Sequence, residues 1–374
     1  MSVFVLMAGG TGGHLFPAEA LAQELIRRGH RVELITDQRT RHLGETFPAR
    51  SVHVVAAATP NFRRPLRLTG ASVTIFAGIV ASIGILRRIK PNAVIGFGGY
   101  PTFPPFIAAS LLGIPGLLHE QNAVLGRANR ALARFASALA LSFEPTRGTE
   151  KFTLPKHLVG NPVRQRVLAL KGTPLPPIGR QDGKLRLLVF GGSQGARFLS
   201  EVVPGAVTLL PEDLRRRIEV TQQCRQEDLE AAATIYARAE IEAELAAFFP
   251  DLPEKMARSH LVIGRAGAST VAELAVIGRG SILVPLPGSL DQDQRANAAI
   301  LAAAGGAVML DQATISLHSL ASELQGLLAE PKKLATMSVR ATQAGRPDAV
   351  IRLADLAVGI AGPAKAPPAE GDRP

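Results

Sequence analysis

The chain has 374 residues, long for one hydrophobic core, so two domains are expected. Hydrophobic residues make up 47% and charged residues 20%, which excludes a disordered chain, and the single Cys224 excludes a disulfide framework or a cysteine-based zinc site and fits a reducing compartment. The net charge of +11 asks for an anionic partner, and nucleic acid is the weakest choice because tryptophan is absent, tyrosine occurs twice and no arginine–aromatic interleaving offers a stacking platform.

The first eight residues are apolar but lack a basic leader and a long hydrophobic run, so they predict a first strand over 3–7 rather than a signal peptide. Short apolar runs at 31–35, 52–55, 93–96, 116–119 and 138–141, the first three with β-branched residues, predict further strands, separated by alanine- and leucine-rich stretches of helical period. This is the βα alternation of a parallel sheet. The first strand hands over through Gly9-Gly10-Thr11-Gly12-Gly13-His14 to a helix expected near Phe16. Glycines there let the backbone approach a ligand, and the helix N-terminus favours a phosphate.

Residues 68–86 carry no charge, long enough on paper to cross a bilayer, with Arg63, Arg64 and Arg67 before them and Arg87, Arg88 and Lys90 after. A crossing would split the first sheet, so the segment is expected to lie partly on that sheet and partly exposed. Val73, Ile75, Phe76, Ile79, Val80 and Ile83 would then form an apolar patch, rimmed by Arg67, Arg87 and Arg88, for an anionic membrane surface. An ordinary core helix is the plainer alternative.

After a Pro- and Gly-rich break at 172–184 the pattern restarts, with strands expected at 185–190, 218–222, 261–263, 281–284 and 308–310. The strand at 185–190 runs into Gly191-Gly192-Ser193-Gln194-Gly195, a second glycine loop before a helix. Neither loop has dinucleotide or P-loop spacing. The second one satisfies G-x-S-x-G, the nucleophile elbow of α/β-hydrolases, and Asp291 and His318 follow Ser193 in the order of a triad. A hydrolase, however, leaves the first loop and the repeated architecture unexplained.

Six motifs in order give the chain a family likeness. They are Gly9 to His14, Gly98-Gly99-Tyr100, His119-Glu120-Gln121-Asn122, Gly160-Asn161-Pro162-Val163-Arg164, Gly191 to Ala196, and Arg265-Ala266-Gly267-Ala268-Ser269-Thr270-Val271-Ala272-Glu273. On these residues, from Met7 to about Ile360, the chain resembles the MurG family of inverting glycosyltransferases, which make lipid II in peptidoglycan assembly.

The resemblance implies an α/β fold of GT-B type, two Rossmann-like domains with parallel sheets facing across a cleft. Residues 1–162 would meet lipid I, the undecaprenyl-diphosphate-linked N-acetylmuramyl pentapeptide, and the membrane; residues 163–345 would hold UDP-N-acetylglucosamine (UDP-GlcNAc). A helix at 346–361 would return to the first domain, ahead of a disordered tail at 362–374. Ser193, with Gly192, Gln194 and Gly195, would cup the donor diphosphate, with Gly10 in the matching loop. Ala268, Ser269, Thr270, Val271 and Ala272 would open the helix beside it, and Glu273 would accept from the ribose hydroxyls. The backbone of Phe249 would read uracil, Gln294 and Arg164 would complete the donor site, and Thr11, Gly12, Gly13 and Asn122 would contact donor sugar and acceptor. Two positions depart from the family pattern: Gln222-Gln223-Cys224-Arg225 stands where relatives have His-Gln-Ser/Thr-Gly, and Asp293 where His or Gln is more usual.

The implied chemistry is attack of the acceptor's 4-hydroxyl on the anomeric carbon with inversion. It needs a base, for which an imidazole suits. His14 is the first candidate and Glu120 the second. UDP-GlcNAc enters as a substrate, and neither cofactor nor metal is expected at the active centre. The enzyme is expected to sit peripherally on the cytoplasmic face of the bacterial inner membrane, with cell-wall or division proteins as possible partners. A different GT-B UDP-sugar transferase with a lipid acceptor, and a non-catalytic sugar-nucleotide binder, are the competing readings.

Overall fold

The computed structural model describes residues 1–9, 12–38, 47–57, 65–178 and 183–362. It divides into two compact units, one of residues 1–164 with 348–374 and one of residues 165–347.

The first unit is built on strands β1 (Val3–Met7), β2 (Arg31–Thr36), β3 (Val52–Val54), β4 (Ala93–Gly96), β5 (Gly116–Glu120), β6 (Ala138–Leu141) and β7 (Lys156–Leu158), with helices α1 (Gly12–Arg27), α2 (Pro65–Ile89), α3 (Phe103–Leu111) and α4 (Arg127–Leu132) between them. The strands pair in the order β3-β2-β1-β4-β5-β6-β7, all parallel. Helices on both faces bury the central strands, which is why they read as continuous apolar runs such as Val3 to Met7.

The second unit carries α5 (Gln165–Leu168), β8 (Leu185–Phe190), α6 (Gly192–Thr208), α7 (Glu212–Arg215), β9 (Ile218–Gln223), α8 (Leu229–Arg238), β10 (Glu242–Ala246), α9 (Leu252–Arg258), β11 (Leu261–Gly264), α10 (Ala268–Ile277), β12 (Ser281–Leu283), α11 (Asp293–Ala303), β13 (Ala307–Met309), α12 (Leu317–Leu328) and α13 (Pro331–Ala344). Its six strands run β10-β9-β8-β11-β12-β13, again parallel. The chain then goes back: α14 (Ala349–Ala361) buries Leu353, Ala354 and Ala357 in the first core beside Leu21 and Leu25 of α1. Each fully buried leucine contributes about 1.5–3 kcal/mol. Arg28 ties the two helices, bonding Glu24 and Asp355 at 2.6 Å each.

Two strands, β7 and β10, were not foreseen, and both lie at sheet edges. The segment around 172–178 is not a loose joint but part of the second unit. Arg279, wholly buried, donates to the carbonyls of Thr173 and Pro174 at 2.9 and 3.0 Å as well as to those of Ala257 and Gly278. Burial lowers its guanidinium pKa to about 10. Leu175 and Ile178 pack against the same core.

Helix α2 contains one 18-residue window apolar enough for a membrane span, 22% buried. It is a crossover between β3 and β4 of one sheet. Gly78, Ser82 and Leu86 face inward, where Gly78 passes so near the Ala56 carbonyl and Pro104 that a Cβ would overlap them. The expected patch is redistributed. Ile79 and Ile83 pack on the core and Ile75 is half-buried, whereas Val73 (68% exposed), Phe76 (68%) and Val80 (53%) stand outward, continuing to exposed Arg87 and Arg88. Arg63, Arg64 and the side chain of Arg67 lie outside the described residues, as does the tail beyond Gly362.

Candidate active site

In both parallel sheets the strand order reverses once, between β1 and β4 in the first unit and between β8 and β11 in the second. At such a switch point the loops after the two neighbouring strands splay apart, leaving a crevice at their carboxyl ends. The predicted motifs fall there. The loop after β1 leads into His14, β4 runs into Gly98-Gly99, β8 into Gly191-Gly192, and β11 into Arg265 to Gly267.

In the first unit α1 starts at Gly12, a turn earlier than expected, so Gly12, Gly13 and His14 form its first turn. Gly10 and Thr11 lie outside the described residues. The imidazole of His14 rests against Gly98 and Gly99, whose φ values of 83° and 75° require glycine. A Cβ on Gly98 would stand 3.5 Å from its Cε1, and one on Gly99 3.4 Å from its Cδ2. Its Nδ1 is 3.1 Å from Gln121 Oε1. Gln121 Nε2 lies 3.0 Å from Nδ1 of His119, whose Nε2 is 3.0 Å from the Gly160 carbonyl. Burial holds the His119 pKa down at about 4.

Glu120 is 2% exposed, and its carboxylate serves the loop that follows. Oε1 accepts from the Asn122 backbone at 3.0 Å and its side chain at 3.3 Å; Oε2 accepts from Gly126 N at 2.9 Å and Asn129 Nδ2 at 2.8 Å. Burial pushes its pKa up while these donors pull it down. With both oxygens engaged inside the fold, Glu120 organises the 122–129 turn, and the geometry gives no support to it as the proton acceptor. Asn129, which sequence reading overlooked, also donates to the His119 carbonyl at 3.2 Å. Arg164 stacks its guanidinium 4.8 Å above Phe16 of α1 in this unit.

In the second unit α6 begins at Gly192, with φ of 66°, and its N-cap is Gly191, which has no side chain to cap with. Ser193, Gln194 and Gly195 form its first turn; their side chains are outside the described set. Helix α10 opens at Ala268, Ser269 and Thr270 behind the N-cap Gly267, and among the described residues no side chain caps it, so its first N–H groups and the positive end of its dipole suit an anion. The preceding loop is clamped from α11. Gln294 Oε1 accepts from Ala266 N (3.3 Å) and Leu286 N (3.0 Å), and Asn297 Nδ2 donates to the Ala266 carbonyl (3.1 Å). Arg265 spans to the Val284 carbonyl and Gln312 at 3.0 and 2.7 Å. Along α10, Val271 and Glu273 are buried and Ala272 half-buried. Phe249 is buried under Lys255, whose ammonium lies 4.9 Å from the ring.

The family departure at Gln222 lies in the core: it accepts from Tyr236 at 2.5 Å and donates to the Leu199 carbonyl of α6 at 3.2 Å. Cys224 beside it is buried, and burial pushes its thiol up. The triad reading fails. Leu317, next to His318, packs on Gly205 of α6, twelve residues beyond Ser193 and so about 18 Å along the helix at 1.5 Å per residue. His318 itself is exposed.

The glycosyltransferase family 28 N-terminal domain matches residues 4–141, and the family 28 C-terminal domain matches residues 186–353. The chain belongs to glycosyltransferase family 28. Its relatives include the UDP-N-acetylglucosamine--N-acetylmuramyl-(pentapeptide) pyrophosphoryl-undecaprenol N-acetylglucosamine transferase of Methylobacterium sp. (strain 4-46), 54% identical over 95% of each chain. The enzyme of the same name from Bradyrhizobium diazoefficiens is 49% identical over 96% of this chain and 98% of its own. The crystal structure of Acinetobacter baumannii MurG covers 96% of this chain and 99% of its own with a TM-score of 0.78 at 31% identity. The two parallel sheets are thus those of a GT-B enzyme of family 28.

Proposed function

We infer that this chain transfers GlcNAc from UDP-GlcNAc to the 4-hydroxyl of MurNAc in lipid I, forming lipid II for peptidoglycan. The observation that carries this is near-full-length identity of about one half to transferases of that name, on a fold whose glycine loops all fall at switch points. In the reaction the acceptor oxygen bonds to the anomeric carbon as the bond from that carbon to the diphosphate oxygen breaks. UDP leaves with the electron pair, and the hydroxyl proton passes to His14. Three features support His14. It stands in the first turn of α1, its Nδ1 is held by Gln121, and its Nε2 makes no hydrogen bond among the described residues. The open N-termini of α6 and α10 suit the growing charge on UDP.

Incubation of the enzyme with labelled UDP-GlcNAc and purified lipid I should move label into the lipid fraction, and UDP-glucose or UDP-galactose should not. Failure of transfer with UDP-GlcNAc would overturn the assignment. His14→Ala should lower kcat by about 10²–10⁴ with donor binding kept.

We also place the enzyme peripherally on the cytoplasmic face of the inner membrane, with Val73, Phe76 and Val80 toward the lipid and Arg87 and Arg88 at its anionic headgroups. Binding to anionic vesicles should weaken as salt rises; no binding at low salt refutes this. Among the described residues no three His, Cys, Asp or Glu side chains converge on a metal site. Turnover is expected to persist in excess chelator, and its loss there would refute metal independence.

A further inference from the structure

We propose that Gln121 and His119 form a neutral relay that fixes the tautomer of His14, so that its lone pair sits on Nε2. The inference rests on the reading of His14 as the base and adds what holds that base ready.

The chain of logic starts at the far end. The Gly160 carbonyl can only accept, so His119 Nε2, 3.0 Å away, carries the hydrogen. His119 is completely buried and neutral near physiological pH, which leaves its Nδ1 bare. The side-chain amide of Gln121 therefore has two acceptors in front of Nε2, His119 Nδ1 at 3.0 Å and the His119 carbonyl at 3.2 Å. Turned over, the amide would set its own oxygen against a lone pair and a carbonyl. Its orientation is thereby settled, with Oε1 directed at His14.

That oxygen too can only accept. His14 Nδ1, 3.1 Å away, must then be the protonated nitrogen, and a neutral imidazole has only one N–H. Nε2 is left as the acceptor, the state a general base needs before it takes the hydroxyl proton. Gln121 is 2% exposed, so bulk water does not compete for the amide. An amide orients the imidazole as a carboxylate would, without adding a further negative charge next to it. Gln121 and His119 touch neither substrate in this scheme; they are positioning residues.

The test is nuclear magnetic resonance of the full chain carrying ¹⁵N-histidine, with His14 assigned by the signals lost in His14→Ala. Near neutral pH the parent should show His14 protonated on Nδ1 and bare on Nε2. Gln121→Leu should mix the tautomers and lower kcat about 10- to 100-fold, by analogy with the loss seen when the partner that orients a metal-bound histidine is removed, with the donor KM little changed. Gln121→Glu, which can accept but not donate, should keep the His14 tautomer, take a proton from solvent onto His119 Nδ1 so that His119 becomes an imidazolium paired with the new carboxylate, and recover part of kcat. A parent spectrum with His14 protonated on Nε2 overturns the relay even if no variant folds. So does a folded Gln121→Leu with parental tautomer and kcat. Should His14→Ala turn over normally, the base assignment fails, while the parent spectrum still judges the relay.

Discussion

Buried neutral His119 makes the first unit sensitive to acid in a way that can be worked out beforehand. Its pKa falls from 6.5 to about 4 on folding because burial penalises the imidazolium. The lowered value means the unfolded chain takes up the proton first. Stability is therefore fully present above pH 6.5 and is lost as pH falls through the folded value near 4. The difference, 6.5 − 4 = 2.5 units, at about 1.36 kcal/mol per unit amounts to about 3 kcal/mol. The assay is hydrogen exchange of peptides covering β5 and β6, read as opening free energy from about pH 7 to about pH 4.5 after correction for intrinsic rates. His119→Asn should be less stable at neutral pH but lose less on acidification, because only the slope belongs to the titration. Parallel slopes for parent and variant would refute the reasoning.

Glu120→Ala removes the carboxylate that accepts from the Asn122 and Gly126 N–H groups and from the Asn129 amide, so exchange across 120–132 should rise with a local loss of about 2–4 kcal/mol; an unchanged profile would show that the carboxylate does not organise the turn. Gly278 closes α10 at φ 80°, and a Cβ there would overlap Thr342 Oγ1. Gly278→Ala should cost about 2–3 kcal/mol, of which about 1–2 is left-handed strain and remains in a Thr342→Ala background; additive costs in the double variant would exclude the clash. Replacing Phe76 and Val80 together by Asp should abolish flotation with anionic vesicles and slow turnover of lipid I, but spare a water-soluble acceptor analogue; equal losses on both acceptors would point to misfolding rather than a membrane face.

Most of the central strands could be read from the sequence because burial on both faces leaves an apolar signature, as in Val3 to Met7 and Leu185 to Phe190. The edge strands could not. Glu242-Ala-Glu-Leu-Ala246 is built from residues that disfavour strands and becomes β10 only because β9 offers it a register, Glu242 opposite Glu219 through Ala246 opposite Gln223. The glycine loops were legible by composition, whereas the partners of the candidate base were not. His14 and Gln121 are 107 residues apart, and it takes the order β1-β4-β5 to bring them within 3.1 Å. Glu120 is the converse case, since a carboxylate in a motif suggests chemistry whereas its four donors speak for a structural role that no sequence spacing displays. The outward face of α2 was mistaken in part because an uninterrupted apolar run hides which side meets the sheet.

The docking of α14 on α1 has a consequence for synthesis on the ribosome. The second unit is inserted between residue 164 and the returning helix, so the surface of Leu21 and Leu25 stays uncovered while some 180 intervening residues are translated. A nascent chain stalled at Pro347 should be nicked by protease within residues 1–164 faster than the completed polypeptide, and equal protection of the two would show that the first unit seals itself without its closing helix.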